Sequence, residues 1–579
     1  MKKILATILA LVLALGLCTS AWATEKSIGS ATELKNAISS VNDGDVIKLS
    51  NDVTISEKVT ISKNIFLDLG THTLTSEFAP TAEDYALVAE GNVTIQNGSI
   101  VTTKDKARAV NNSKGNLNLE NVIITAKGQV GVGNSATSGN VSIKNCKINS
   151  ETAYAVASFA KNANVVMDIN KSEMSGAYGA FYHNGTASGL TLSVTETTMS
   201  SENGDGMYLA GYAKTTLTDC DISGVTGVEI RAGELTVNGG SITGTATPIS
   251  VEPNGNGSTV TGAGIAVSQH TTMLPLTVTV NGGNIKGYSA FYQVDTLAEM
   301  EDNAGGKKFT EEQVAAAVAK ITLSVNEGVY TATGEDGQAV YSENKTGFVS
   351  AGIFSSDVTN YLTNDAVAAT VVNGNSTDYA VGSTAISAAI TSNSTVTVTN
   401  GSIDLTDVPA GVTVKNTGEG KVTVNGTKEV KKDDAPYTVP AKTGGYYYYP
   451  STPSITAELN GTNKSATDYP GGDYGLVFRS TAAFSTFQGV QVDGKTLAKS
   501  NYTAEEGSTV VYLKAAYLKT LAAGKHTITI LSTAGNTSMD FTVGGKSSSP
   551  QTFDAGVGIY AVTAVLSVTG MAWTAKKRH

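Results

Sequence analysis

Val93-Thr94-Ile95-Gln96-Asn97-Gly98-Ser99-Ile100 alternates apolar and polar residues, turns at Asn-Gly, and closes on one more apolar residue. Alternation with period two puts Val93 and Ile95 on one face of a strand. Asn and Gly tolerate the left-handed backbone that a sharp turn needs. The same figure returns as Val141-Ser142-Ile143-Lys144-Asn145-Cys146-Lys147-Ile148, as Leu235-Thr236-Val237-Asn238-Gly239-Gly240-Ser241-Ile242 and as Val278-Thr279-Val280-Asn281-Gly282-Gly283-Asn284-Ile285. Its closing apolar residues fall at Leu74, Ile100, Ile124, Ile148, Met174, Met199, Ile222 and Ile242, in steps of 26, 24, 24, 26, 25, 23 and 20. A second apolar series keeps pace at Leu87, Val110, Val132, Val156, Phe181, Met207, Val228 and Ile249. Two registers advancing together at this period predict a solenoid. The step from Ile242 to Ile285 is 43 residues, which reads as two units with one weak member. Repeats resume at Val329, Ile353 and Ile403, and Val396-Thr397-Val398 and Val422-Thr423-Val424 read as the last rungs.

Short strands rich in Thr and Val favour a parallel β-helix. A leucine-rich skeleton is absent, and a propeller blade needs about 40–45 residues. One coil cannot bury its own apolar side, so coils must stack. At the start, Leu34, Ala37, Ile38 and Val41 share one helical face, which predicts a helix covering the first coil's open edge. Thr310-Glu311-Glu312-Gln313 has capping-box form before an Ala-rich run, so a helical insertion is expected near 295–320. These features resemble the right-handed parallel β-helix of pectin-lyase-like surface proteins of Gram-positive, clostridial-type bacteria. The expected fold class is therefore all-β.

The remaining organisation is read from both ends. Met1-Lys2-Lys3, an apolar core from Ile4 to Leu17 and Ala21-Trp22-Ala23 form a signal-peptide pattern over 1–23. The β-helix is expected over 24–430 and a linker over 431–453, containing Tyr446 to Tyr449. Evenly spaced short strands over 454–544 argue for a small β-sandwich. The run from Val492-Asp493-Gly494-Lys495 to Gly524-Lys525-His526-Thr527 resembles the Ig-like spacer modules of clostridial surface proteins. Residues 545–579 carry Pro550-Gln551-Thr552, an apolar stretch from Ala555 to Ala575 long enough for a transmembrane helix, and a basic end. That layout resembles an LPxTG-type cell-wall sorting signal, with Ser549 and Phe553 departing from the usual pattern. The resemblance implies sortase as a partner, cutting after Thr552, and attachment to cell-wall peptidoglycan. A simple membrane-anchored tail is the other reading. The expected location is secreted and at the cell surface, held at the C-terminus.

The formal net charge is −11, and Arg is scarce, which excludes nucleic acid as a partner. Two surface features carry the functional expectations. Aligned on Met174, Met199 and Ile222, the coils put Lys171, Glu196 and Asp219 in one outward column and Glu173, Thr198 and Asp221 in another. Carboxylates Glu173, Glu196, Asp219 and Asp221 at coil spacing suit acid–base hydrolysis or calcium, or simply form a solvated acidic face. No cofactor and no metal is required by the sequence. Tyr182, Tyr208, Tyr292 and Tyr341 follow inward residues of the second strand and form either a glycan-binding strip or a stacked ladder. His183 and His270 read as isolated surface histidines. Cys146 and Cys220 point inward three coils apart, about 14 Å at the strand spacing, too far for a disulfide. The chain reads as an adhesin or glycan-contacting protein, with a surface polysaccharide lyase or hydrolase and a structural wall protein as alternatives.

Overall fold

A computed structural model of the chain describes residues 24–253, 258–295, 297, 309–440, 446–447, 457–458, 474–480, 482–506, 509–522, 524–533 and 535–543. The leader at 1–23 and the tail at 545–579, with Pro550, Gln551 and Thr552, lie outside the described residues. Among the described residues no helix is long and apolar enough to cross a membrane. The chain divides into two compact units between Ala389 and Ile390.

The first unit is a β-solenoid of about 13 turns. Its first sheet carries one unbroken inward column: Val53, Leu74, Ile100, Ile124, Ile148, Met174, Met199, Ile222, Ile242, Ile285, Tyr330 and Phe354 are successive parallel partners. All of them belong to the main core or its immediate wall, because each alternate strand position faces the axis. The second sheet has 11 parallel strands among the described residues. Its inward column runs Leu87, Val110, Val132, Val156, Phe181, Met207, Val228, Ile265, Phe291 and Val340. The residue before each of these is Ala or Gly, from Ala86 to Ala339. Those glycines leave no room: a Cβ on Gly131 would meet the Ala155 carbonyl at 2.6 Å.

Three register expectations are corrected. Ile242 pairs directly with Ile285, so the 43-residue step is one coil carrying an excursion, not two units. Ile249 lies in that excursion, and Ile265 takes the place expected for it. Tyr330 and Phe354 face the core, whereas Val329 is 37% exposed, so the late repeats run one residue later than Val329 and Ile353 suggest. A large aromatic is the better filler where the solenoid ends, and the two rings stack at 4.8 Å.

Each end of the solenoid carries a non-coil element. Helix α1 (Ala31–Ser40) starts at Ser30, whose hydroxyl accepts from the Glu33 amide, and it buries Leu34, Ala37 and Ile38 on the first coil. At the other end the antiparallel hairpin Ala368–Asn373 and Ser376–Val381 pairs against Gly352–Phe354, which ends the parallel run of the column. The expected insertion helix is present as α2 (Glu311–Ala319), with both halves of the capping box at Thr310 and Gln313.

The second unit begins at Ile390. Its first part has short parallel pairs, Thr395–Asn400 with Thr413–Asn416 and Ile403–Leu405 with Val422–Val424. The expected last rungs are therefore rungs, but of this unit. Further along, Tyr474–Ser480, Tyr502–Glu506 and Thr509–Lys514 form one antiparallel set, and Phe487–Val492, Gly524–Ser532 and Thr537–Val543 another. Phe478, Val490, Val511, Ile528 and Phe541 meet in one core between the two sets.

Candidate functional site

The turn after each first-sheet strand is the most regular polar feature of the solenoid. Asn97, Asn121, Asn145, Lys171, Glu196 and Asp219 all hold positive φ, between 46° and 59°. Asn is the favoured non-glycine residue for this conformation, because its side chain bonds to the local backbone. In the coils of Lys171, Glu196 and Asp219 a charged residue occupies this strained position, and Gly239 takes it in the coil after. A shallow groove, open to solvent over most of its extent, runs beside this turn column. Asn121, Asn145, Lys147, Lys171, Glu173, Glu196 and Thr198 line it, from four successive coils.

The sequence columns are real, but their carboxylates do not converge. Glu173 pairs with Thr198, and Thr198 with Asp221, as expected. Glu173 leans towards the preceding coil, where its carboxylate meets Lys147 Nζ at 2.6 Å. Glu196 leans the same way, 3.6 Å from Lys171 Nζ. Asp221 turns to the following coil and accepts from the Ser241 hydroxyl at 2.7 Å. Asp219 also leans forward: its Oδ1 lies 2.4 Å from where a Cβ on Gly239 would sit. Acid–base hydrolysis needs two carboxyls aimed at one bond from either side. Here one pair points back and the other forward, and two of the four acids are already paired with lysine. Among the described residues no group of three or more His, Cys, Asp or Glu is placed to hold a metal ion.

The tyrosine column of the second sheet is also present, and it is broken. Successive partners run Tyr182, Tyr208, Glu229, Ala266, Tyr292 and Tyr341. Tyr182 stacks on Tyr208 at 5.4 Å and on Tyr154 at 4.3 Å, while Tyr292 stacks on Tyr341 at 4.8 Å. A sugar ring binds an aromatic by its face. Each of these rings has at least one face covered by a neighbour in the stack. Stacking is therefore present along both halves of the column.

No protein-family model, curated protein or solved structure matches this chain. The site must be read from its own chemistry.

The break in the tyrosine column holds what sequence reading missed. Asp205 and Glu229 lie on adjacent second-sheet strands and Arg231 follows directly after the second; Glu229 and Arg231 are 0% exposed and Asp205 is 7% exposed. Arg231 donates to the Tyr208 hydroxyl at 2.7 Å and lies over the same ring. Burial and the neighbouring Glu229 push Asp205 well above the usual carboxyl range, against the opposing pull of Arg231. Burial also raises Glu229, again opposed by Arg231. His183 and His270, expected on the surface, are buried. His183 faces the solenoid interior, and burial lowers it to about 4. His270 is lowered to about 4 by burial and then by Arg231. Polar residues at outward positions look solvated in a sequence. The signal that something covers them is the long step between Ile242 and Ile285, whose excursion starts beside this cluster.

Proposed function

We propose that this chain is a secreted, surface-displayed β-solenoid that contacts carbohydrate polymers without cleaving them. The groove beside the turn column supports this reading. Four consecutive coils each offer amide, ammonium, carboxylate or hydroxyl groups there at the strand spacing of about 4.8 Å. Such a row matches a polymer that repeats its hydroxyls once per sugar. The divergent leaning of Glu173, Glu196, Asp219 and Asp221 favours binding over hydrolysis or lyase chemistry. In this reading the fold is of the pectin-lyase-like right-handed type, the sandwich in the second unit is an Ig-like spacer, and the C-terminal signal is read by a sortase that joins Thr552 to peptidoglycan.

The test is a glycan array probed with residues 24–544, run beside a reducing-sugar and unsaturated-product assay on the glycans that bind. Binding lost on changing Lys147 and Lys171 together to Ala, with no turnover, supports the proposal. Turnover abolished by Glu196→Ala or Asp219→Ala would replace it with the enzyme reading.

A further inference from the structure

The excursion between Ile242 and Ile285 contains a hairpin, Ser250–Pro253 with Ser258–Thr261. It lies on the outer face of the second sheet. Ile249, Val251 and Val260 pack there against Ala263, Ala266, Tyr292 and Val294, apart from the solenoid core. Polar contacts at Val260 help to fasten it. The Val260 amide donates to Glu229 Oε1 at 3.2 Å, and the Thr226 hydroxyl donates to the Val260 carbonyl. Val260 is 0% exposed. One of these contacts is thus to a carboxylate that belongs to the buried Asp205–Glu229–Arg231 cluster.

That cluster holds two acids and one guanidinium in a buried place. Two ionised carboxylates against one Arg leave an uncompensated buried charge, which is strongly destabilising. One proton on the acid pair restores balance. The neighbours cannot supply a second positive charge. His270 is kept neutral by burial and by Arg231, and burial first, opposed by Arg231, holds the Tyr208 phenol protonated. Tyr182 is likewise raised by burial, and Ser268 and Tyr292 carry no charge. On the hairpin itself Glu252 is exposed and accepts from Ser250, away from the pair.

We propose that the Asp205–Glu229–Arg231 cluster is a pH-sensitive fastening for the paired strands Ser250–Pro253 and Ser258–Thr261, which holds them on the sheet while the cluster is charge-balanced and releases them when the last proton leaves. The sign follows from linkage. Both carboxyls are raised in the closed form, so the closed form binds more protons than the open one. Closure is strongest at acidic pH and weakens as pH rises. Release uncovers Ala266 and Tyr292 and gives water access to Arg231 and Tyr208.

The experiment is hydrogen exchange on the full chain, reading the protection factor of the Val260 amide from about pH 5 to about pH 9, corrected for intrinsic exchange. Protection should fall about tenfold or more across that range, while Val237 and Val280 of the first sheet stay protected. Asp205→Asn leaves one carboxylate facing one Arg, and Glu229→Gln keeps an acceptor for Val260. Each should flatten the pH dependence. Thr226→Val should lower Val260 protection at every pH and so set the open reference. Should Asp205→Asn not fold, Glu229→Gln decides alone. Constant Val260 protection over the whole range, or the same fall in Glu229→Gln as in the parent, overturns the proposal.

Discussion

Lys171 Nζ lies 3.6 Å from Glu196 Oε2, and both residues hold left-handed backbone, with φ of 48° and 46°. They occupy the same turn one coil apart. The ion pair is exposed and contributes little on its own. The backbone strain outweighs it, because a residue with a Cβ in this conformation costs about 1–2 kcal/mol relative to its right-handed alternative.

Replacing Glu196 by Gly should therefore stabilise the solenoid despite losing the pair. The expected gain is about 0.5–1 kcal/mol, since glycine's added unfolded-state freedom offsets part of the relief. A urea melt of Glu196→Gly against the parent measures it. A loss beyond about 1 kcal/mol would mean that the carboxylate is held by more than Lys171.

Coil stacking makes a harsher demand at Gly189. A Cβ there would sit 1.7 Å from the Ala163 carbonyl oxygen, with φ already at +82°. Backbone cannot step aside, so Gly189→Ala should cost about 3 kcal/mol or more. Gly347 has φ of +69° with nothing near its missing Cβ. Gly347→Ala should cost only the conformational part, about 1 kcal/mol. Equal costs in a denaturant series would show that the coils are not packed this closely.

Cys146 and Cys220 are buried free thiols, facing inward in one column with Ser172 and Thr197 between them. Burial raises both thiols, so little thiolate forms at neutral pH. Neither should react with a water-soluble alkylating reagent until the solenoid unfolds. Peptide mapping after labelling with and without denaturant checks this, and a Cys146–Cys220 crosslink would overturn the coil register.

The inward columns were legible because their period is set by strand geometry, and every coil must repeat it. The acid columns at Glu173, Glu196, Asp219 and Asp221 were legible for the same reason. Their leaning was not, since a register fixes where a side chain starts and its partners decide where it ends. The excursion after Ile242 escaped because a hairpin uses the same alternating Val and Thr residues as a weak coil. With it went the burial of Asp205, Glu229 and Arg231, which depends wholly on what lies over them. Tyr330 was hidden by Val329, as either residue of an adjacent pair satisfies a period read from spacing alone.

In the second unit His526 provides a pH-dependent contribution of the opposite kind to the carboxyl cluster. Its Nδ1 meets Asp493 Oδ2 at 2.7 Å, and its Nε2 meets the Ala522 carbonyl at 2.8 Å. Both ring nitrogens face acceptors, so the imidazolium is the form that fits. Partial burial works against the charge, but the bonds to Ala522 and Asp493 outweigh it and raise His526 above its ordinary value. For Asp493 burial is again opposed, by the bonds from His526 and the Thr527 amide, and the carboxyl is lowered. A raised histidine stabilises fully below its unfolded value, about 6.5, and that contribution disappears as pH rises through the folded value. A lowered carboxyl stabilises above about 3.9, and its contribution is lost as pH falls through the folded value. The pair is therefore most stabilising between about pH 4 and about pH 6.5. The gap in melting temperature between the parent and His526→Gln should be widest near about pH 5.5 and close towards about pH 9. An NMR titration of the His526 ring should give a midpoint above that of free histidine. A midpoint at or below it, or a melting gap that stays constant with pH, would show that the imidazolium is not what the Asp493 and Ala522 contacts select.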